Sequence, residues 1–98
     1  MKEPFAAAPG RLAESIQGRD KGRVFIVTEV VDTQYVMIAD GRTHTLSHPK
    51  KKKLMHLRLK PECINLDTLR LEGGPLQDSD FRRVLEERGF GIRPVKGG

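Results

Sequence analysis

The chain has 98 residues, of which 5% are aromatic, and carries 18 Lys and Arg against 13 Asp and Glu, with a single cysteine. This length leaves room for one small domain with a modest core, and one cysteine excludes an internal disulfide or a multi-cysteine zinc site. No apolar run approaches the ~18 residues that a membrane span needs, so we expect no membrane partner, and the cysteine usage favours a cytoplasmic location.

Charge is distributed unevenly along the sequence. Residues 1–60 carry 12 basic and 6 acidic side chains, whereas residues 61–98 carry 6 basic and 7 acidic ones. The first part therefore has the balance of a polyanion-binding protein, and the second part is nearly neutral. On charge alone, nucleic-acid binding and a merely basic surface remain equally open.

The first predicted elements are two strands joined by a glycine-bearing turn. Residues 1–9 are predicted to be a flexible leader, and residues 11–16 fit a first strand loosely. Residues 17–22 have the composition of a turn, because Gly18 and Gly22 accept the positive φ that a tight connection requires. Residues 23–31 are dense in β-branched side chains and give the strongest strand signal in the chain.

Shorter elements follow up to residue 60. Residues 35–39 are apolar and end in Asp40-Gly41, a dipeptide typical of tight hairpins. Residues 42–46 are predicted to return as a short polar edge strand, residues 50–53 to form a solvated loop, and residues 54–59 to form a last strand. Four or five short strands with Gly and Asp turns indicate a small β-barrel rather than a layered α/β fold.

The character of the sequence changes after Pro61. Residues 61–98 are predicted to be a C-terminal extension with a short α-helix at about residues 79–88, capped by Asp78. Residues 64–71 fit a strand or a short helix equally well. The predicted helix is too short to be stable alone, so we expect it to dock on the barrel or on a partner. Its buried face would carry Phe81, Val84 and Leu85. Its exposed face would carry the ion pairs Arg82–Glu86 and Arg83–Glu87.

Residues 10–31 place a strand, a basic glycine-bearing loop and a long hydrophobic strand in that order, which resembles a KOW motif. Ala39-Asp40-Gly41, and Pro49 followed by four lysines and a leucine, extend the match. Over about residues 10–60 the chain is similar to small KOW-domain RNA-binding proteins of bacteria, which are themselves similar to KOW-containing large-subunit ribosomal proteins of archaea and eukaryotes. The resemblance implies a mainly β fold, an SH3-like β-barrel of the KOW type, that associates with RNA or the ribosome, with no catalysis and no cofactor.

The candidate RNA-binding residues come from the glycine-bearing loop and from a basic stretch beyond it. Between Gly41 and Pro61 there are seven basic side chains and no acidic one. Lysine suits phosphate rather than base edges, and four to six phosphate contacts would give log K a slope of roughly −3 to −5 against log salt. A solubilising loop is the alternative for the lysine run. The candidate set is Gly18, Arg19, Lys21, Gly22, Arg23, Arg42, Lys50, Lys51, Lys52, Lys53 and Arg58.

The predicted function is an RNA-binding module associated with the ribosome or with ribosomal RNA. Ribosomal RNA and ribosomal proteins are the expected partners, and we expect no small-molecule substrate. The few aromatic residues are expected to pack in cores, so binding would depend on backbone charge and RNA shape. The histidines and Cys63 match no zinc-ligand spacing, and the absence of a catalytic constellation argues against an enzyme. The alternative is an SH3-like protein–protein interaction module that uses the C-terminal extension, with Leu66, Leu69, Leu71 and the Phe81 face as the grip.

Overall fold

A computed structural model describes residues 5–70 and 74–90. The first four residues of the predicted leader, residues 71–73, which include Leu71, and residues 91–98 lie outside the described residues. Within them, no helix is both long and apolar enough to span a membrane. The elements are β1 (Arg11–Ser15), β2 (Val24–Val30), β3 (Tyr35–Ala39), β4 (Lys50–Lys53), a 3₁₀ turn (Leu54–His56), β5 (Leu57–Cys63), α1 (Leu66–Leu69) and α2 (Asp78–Glu87).

The five strands form one antiparallel sheet in the order β4-β3-β2-β1-β5. Its two edge strands, β4 and β5, follow one another in the chain through the 3₁₀ turn. This turn is tied to both halves of the sheet, because the Leu54 amide donates to the Gln34 carbonyl (2.7 Å) and the Ile16 amide donates to the His56 carbonyl (3.0 Å). The mainly β architecture with a C-terminal helix is therefore confirmed.

The first four residues of β2 are buried on both faces of the strand and separate two apolar clusters. Val24, Phe25, Ile26 and Val27 are all buried, and their side chains alternate between the clusters as strand geometry requires. The inner cluster joins β3 to β5, which are three places apart in the strand order, so the sheet is curled around it. Its buried members are Ala13, Phe25, Val27, Val36, Ile38, Leu57 and Leu59. The helix-side cluster contains Leu12, Val24, Ile26, Ala39, Ile64, Leu69, Phe81, Val84 and Leu85.

Helix α2 covers the other face of the sheet. Its predicted apolar face is confirmed, since Phe81, Val84 and Leu85 are buried in the helix-side cluster. These side chains therefore already have a partner within the chain, which removes most of the grip that the protein-interaction alternative required. Residues 66–69 form the short helix α1, whose first turn is capped by the Asn65 side chain.

The polar details of α2 differ from the prediction. The cap is Gln77, which shares a capping box with Asp80, while Asp78 accepts from the Leu46 amide at 2.7 Å. The predicted i,i+4 pairs are also wrong. Arg82 donates to the Gly41 carbonyl at 2.7 Å instead of pairing with Glu86. Arg83 pairs with Asp80 at 3.2 Å, and Glu86 pairs with Arg42 at 2.6 Å.

Two segments exchange their predicted roles. The lysine run, predicted to be a loop, is strand β4, and its four residues pair with residues 35–38 of β3. Residues 42–46, predicted to be a strand, form an irregular, bent segment instead. The cause is Asp40, whose carboxylate accepts from the backbone N–H groups of Arg42 (2.9 Å) and His44 (3.1 Å) and so bends the chain immediately after β3.

The ends of the sheet lie beyond the predicted limits. β5 begins at Leu57 and continues through Pro61 to Cys63, past the predicted boundary at residue 60. Proline is tolerated there because β5 is an edge strand. At the other end, Phe5 and Ala7 of the predicted leader pack partly buried against the inner cluster. Gly10 joins these ends, since its amide donates to the Val27 carbonyl (2.7 Å) and its carbonyl accepts from the Ile64 amide (2.8 Å).

Candidate nucleic-acid interface

A cleft of about 390 Å³ opens where the β1–β2 loop and the β3–β4 loop meet the start of β4. We call it the basic cleft. Arg19 and Lys50 are exposed at it and Arg23 is half-buried. Beneath them the His44 ring lies 5.7 Å from the ring of Phe25, centroid to centroid, so the inner cluster underlies the cleft. The lining residues are Gly18, Arg19, Asp20, Arg23, Thr43, His44, Lys50 and Lys52.

The β1–β2 loop is held in place by a nearly buried ion pair. Lys52 Nζ lies 3.3 Å from Asp20 Oδ1, and the two side chains are only 9% and 12% exposed. Lys52 also donates to the Gln17 carbonyl at 3.2 Å, and the Ser15 hydroxyl lies 2.8 Å from the same Asp20 oxygen. Lys52 therefore connects β4 to the loop from inside the curled sheet, and its charge is already matched by an acidic group.

The environment of Asp20 sets its ionisation. Burial alone would raise its pKa, but the hydrogen bond from Ser15 and then the hydrogen bond and positive charge of Lys52 outweigh burial, so the pKa lies below its ordinary value of 3.8. The charged form is thus the one that the fold stabilises. The pair contributes its full stability above the pKa of the unfolded chain and loses it as the pH falls through the folded pKa.

This linkage gives a pH-dependent prediction. The free-energy difference of unfolding between the natural protein and Asp20→Asn should be constant from about pH 7 to pH 5 and should shrink below about pH 4. Urea unfolding followed by circular dichroism at each pH measures it. A difference that stays constant down to about pH 2.5 would show that the carboxylate charge does not matter to the loop.

The β3–β4 loop is shaped by Asp40 and by α2. The Asp40 carboxylate accepts from the Thr43 hydroxyl at 2.9 Å, and the same hydroxyl accepts from Arg23 Nη1 at 3.0 Å, which links the two loops across the cleft. From α2, Arg82 donates to the Gly41 carbonyl at 2.7 Å. The C-terminal extension, which the charge distribution separates from the binding surface, therefore helps to form the cleft.

The lysine strand divides its charges between two faces. Successive side chains of a strand point to opposite sides, so Lys50 and Lys52 face the basic cleft while Lys51 and Lys53 face outward. The Nζ atoms of Lys51 and Lys53 lie 4.8 Å and 5.9 Å from the centroid of the Tyr35 ring. Four consecutive lysines therefore do not form one patch.

The remaining candidates lie outside the cleft. Lys21 and Gly22 are exposed in the same loop but do not line it. Arg42 is 40% exposed and pairs with Glu86 of α2. Arg58 lies on β5, at the opposite edge of the sheet, 3.9 Å from Glu14. The structure thus brings together Gly18, Arg19, Arg23 and Lys50, with Lys52 buried behind them.

Sequence reasoning did not single out the groups that hold the cleft in shape. Asp20 has a signal in the sequence, since it is the one acid between two glycines in a basic loop, but its partner is 32 residues away. Thr43 and His44 sit in a segment that was expected to be a strand. Within residues 5–70 and 74–90, no group of three or more His, Cys, Asp or Glu side chains is placed to hold a metal ion.

Fold and cleft together define a small, mainly β protein with a cationic groove at one end of a curled sheet. No protein-family model matches the chain. Over 81 residues it is 26% identical to Large ribosomal subunit protein eL14 of Hyperthermus butylicus, which covers 83% of this chain and 76% of that protein. The aligned length exceeds residues 10–60, so the similarity is not limited to the segment that resembles a KOW motif. This finding supports the resemblance to large-subunit ribosomal proteins and does not support the resemblance to the bacterial group.

Proposed function

We propose that the protein is a ribosome-associated RNA-binding protein that contacts the phosphate backbone through the basic cleft. The observation that carries the proposal is the meeting of Arg19, Arg23 and Lys50 at one cleft. The similarity to Large ribosomal subunit protein eL14 supports ribosomal RNA as the RNA, with ribosomal proteins as neighbours and the cytoplasm as the location.

The charges of the cleft suit a polyanion. Two of the charged lining residues, Asp20 and Lys52, neutralise each other. The other three, Arg19, Arg23 and Lys50, therefore set the local potential. Arg19 and Arg23 offer planar donor forks and Lys50 a flexible point charge, a combination that binds phosphate oxygens without reading bases. Lys21 and Gly22, in the same loop, extend the contact, whereas Lys52 positions the loop.

We propose further that the curled sheet is an SH3-like barrel of the KOW type. Three features support this assignment. The edge strands β4 and β5 are joined by a single 3₁₀ turn, the inner cluster spans β3 to β5, and Lys52 reaches from β4 to the loop after β1. In such a barrel the basic cleft would be the open end, which explains why loops from separate hairpins meet there.

A paired charge reversal tests the RNA proposal. Arg19→Glu/Lys50→Glu is expected to weaken binding to purified ribosomal RNA and to a short duplex RNA by more than about tenfold, because two phosphate contacts become repulsive. Filter binding at salt concentrations from about 50 mM to about 300 mM measures both the affinity and its dependence on salt. The slope should become shallower by about 2.

The matched control changes the same net charge elsewhere. Arg70 and Arg88 are exposed and lie outside the basic cleft, so Arg70→Glu/Arg88→Glu should keep most of the affinity. Equal losses in the two variants would mean that net charge rather than the cleft drives binding, and no loss in either would contradict the proposal. Cosedimentation of both variants with large ribosomal subunits extends the comparison to the ribosome.

A further inference from the structure

The outward face of β3 and β4 carries a second, different surface. Tyr35 is paired with Lys53, and Met37 with Lys51, in the register of the two strands. Directly paired residues share a face of the sheet, so the four side chains form a contiguous group that we call the tyrosine patch. Both lysine Nζ atoms lie within 6 Å of the Tyr35 ring centroid, at 4.8 Å and 5.9 Å.

The tyrosine patch is accessible and separate from the basic cleft. Tyr35, Met37 and Lys53 are half-buried, and Lys51 is exposed. None of the four lines the cleft, which receives the side chains of Lys50 and Lys52 from the other face of the same strand. An aromatic ring and a thioether on β3 thus stand beside two cations on the edge strand β4.

We propose that the tyrosine patch binds an unpaired nucleotide of single-stranded RNA, a proposal that rests on the RNA-binding function above. The base stacks on the Tyr35 ring, and the phosphates on either side meet Lys51 and Lys53. Residues i and i+2 of a strand are about 6.6 Å apart, which is on the scale of one nucleotide in an extended single strand. Stacking on an aromatic ring, combined with neighbouring cations, is how proteins hold single strands without reading sequence.

The present position of the lysines fits this role. Their ammonium groups lie near the electron-rich ring. Because lysine is a flexible point charge, both groups can turn from the ring to a phosphate and leave the ring face to the base. Met37 adds a polarizable, adaptable apolar surface beside the ring.

An acidic residue on β2 determines on which side of the tyrosine patch the RNA backbone lies. Glu29 of β2 is paired with Met37 on the side away from β4 and is exposed. A polyanion is repelled there and attracted over β4, so the backbone should run along Lys51 and Lys53 with the base pointing inward to Tyr35. An acidic peptide would satisfy the lysines but would leave the ring without a stacking partner, which is why RNA is the occupant we propose.

The ring itself is the reporter for the test. The chain contains one tyrosine and no tryptophan, so its intrinsic fluorescence comes from Tyr35. Oligouridylate should quench this emission, whereas a duplex RNA of the same length should quench it far less. By anisotropy of a labelled oligouridylate, Tyr35→Ala should weaken binding about tenfold, Tyr35→Phe should retain it, and Lys51→Gln/Lys53→Gln should weaken it and reduce the salt slope by about 1.4.

Several outcomes would overturn the proposal. These are oligouridylate binding without quenching, equal affinities for Tyr35→Ala and the natural protein, or equal quenching by oligoglutamate. If Tyr35→Ala fails to fold by circular dichroism, the double lysine variant and the quenching of the natural protein decide the matter alone. The cleft variant Arg19→Glu/Lys50→Glu separates the two proposals, because it should lose duplex binding while oligouridylate still quenches Tyr35. Loss of both signals in that variant would count against an independent patch.

Discussion

Gly10→Ala is expected to lower the free energy of unfolding by more than about 4 kcal/mol, which is a large fraction of the about 5–15 kcal/mol typical of a small domain. Two costs combine at this position. The Gly10 φ is +95°, a conformation that alanine rarely adopts, and an added Cβ would overlap the carbonyl oxygen of Ile64. The surrounding hydrogen bonds to Val27 and Ile64 hold the backbone where it is, so the clash cannot be relieved cheaply. Thermal and urea unfolding measure the loss.

Gly22→Ala is the matched control for this experiment. Gly22 has nearly the same φ, +93°, but among the described residues no atom lies within 4 Å of a Cβ built there. It should therefore show only the conformational cost, about 1–2 kcal/mol. The difference between the two variants isolates the close approach of the Gly10 and Ile64 backbones. Similar losses in the two variants would mean that the Gly10 and Ile64 backbones can move apart with little cost in stability.

Lys52→Met is expected to destabilise the protein by about 2–4 kcal/mol, because it leaves the nearly buried Asp20 carboxylate without its cation. Methionine is an unbranched side chain one heavy atom shorter than lysine, so it keeps most of the packing while it removes the charge. The Gln17 carbonyl loses a donor as well, so the β1–β2 loop should loosen and the basic cleft should lose its shape. Urea unfolding gives the stability, and amide hydrogen exchange over residues 17–22 reports the loop.

The neighbouring lysine supplies the comparison. Lys50 is exposed and points to the same face, so Lys50→Met should change stability by no more than about 0.5 kcal/mol. Combining Lys52→Met with Asp20→Asn should cost less than the sum of the single changes, since the second change removes the stranded charge. Additive losses, or a Lys52→Met variant as stable as Lys50→Met, would rule out the pair as a determinant of the loop.

The elements that sequence reasoning found are those whose signal is local. β2 and β3 are predicted by their β-branched and apolar composition, and α2 by its apolar spacing, because burial of one face is encoded in neighbouring residues. Strand β4 is not, since four lysines have low strand propensity and only pairing with β3 makes them a strand. The strand prediction for residues 42–46 is wrong because their composition suits a strand, but the Asp40 carboxylate bends the chain there.

The candidate site shows the same division. A basic loop and a lysine run can be recognised from composition, and Arg19, Arg23 and Lys50 do meet at one cleft. Composition does not reveal that Lys52 is buried against Asp20 or that Arg42 is paired with Glu86. It also does not reveal that alternation places Lys51 and Lys53 beside Tyr35. These facts depend on contacts between residues that are distant in the chain.

The position of β4 at the edge of the sheet has a consequence for solubility. An edge strand offers its backbone hydrogen-bonding groups to any other chain, and such edges template aggregation unless something repels a second strand. Here Lys50, Lys51 and Lys53 of the edge strand β4 carry positive charges in addition to the Lys52–Asp20 pair, so we expect a second copy of the protein approaching along this edge to be repelled. We therefore expect the lysine run to disfavour edge-to-edge pairing of two copies of the protein. Glutamate in place of the exposed Lys50 and Lys51 would preserve a charged edge, whereas alanine or valine at these two positions would expose a template for self-association.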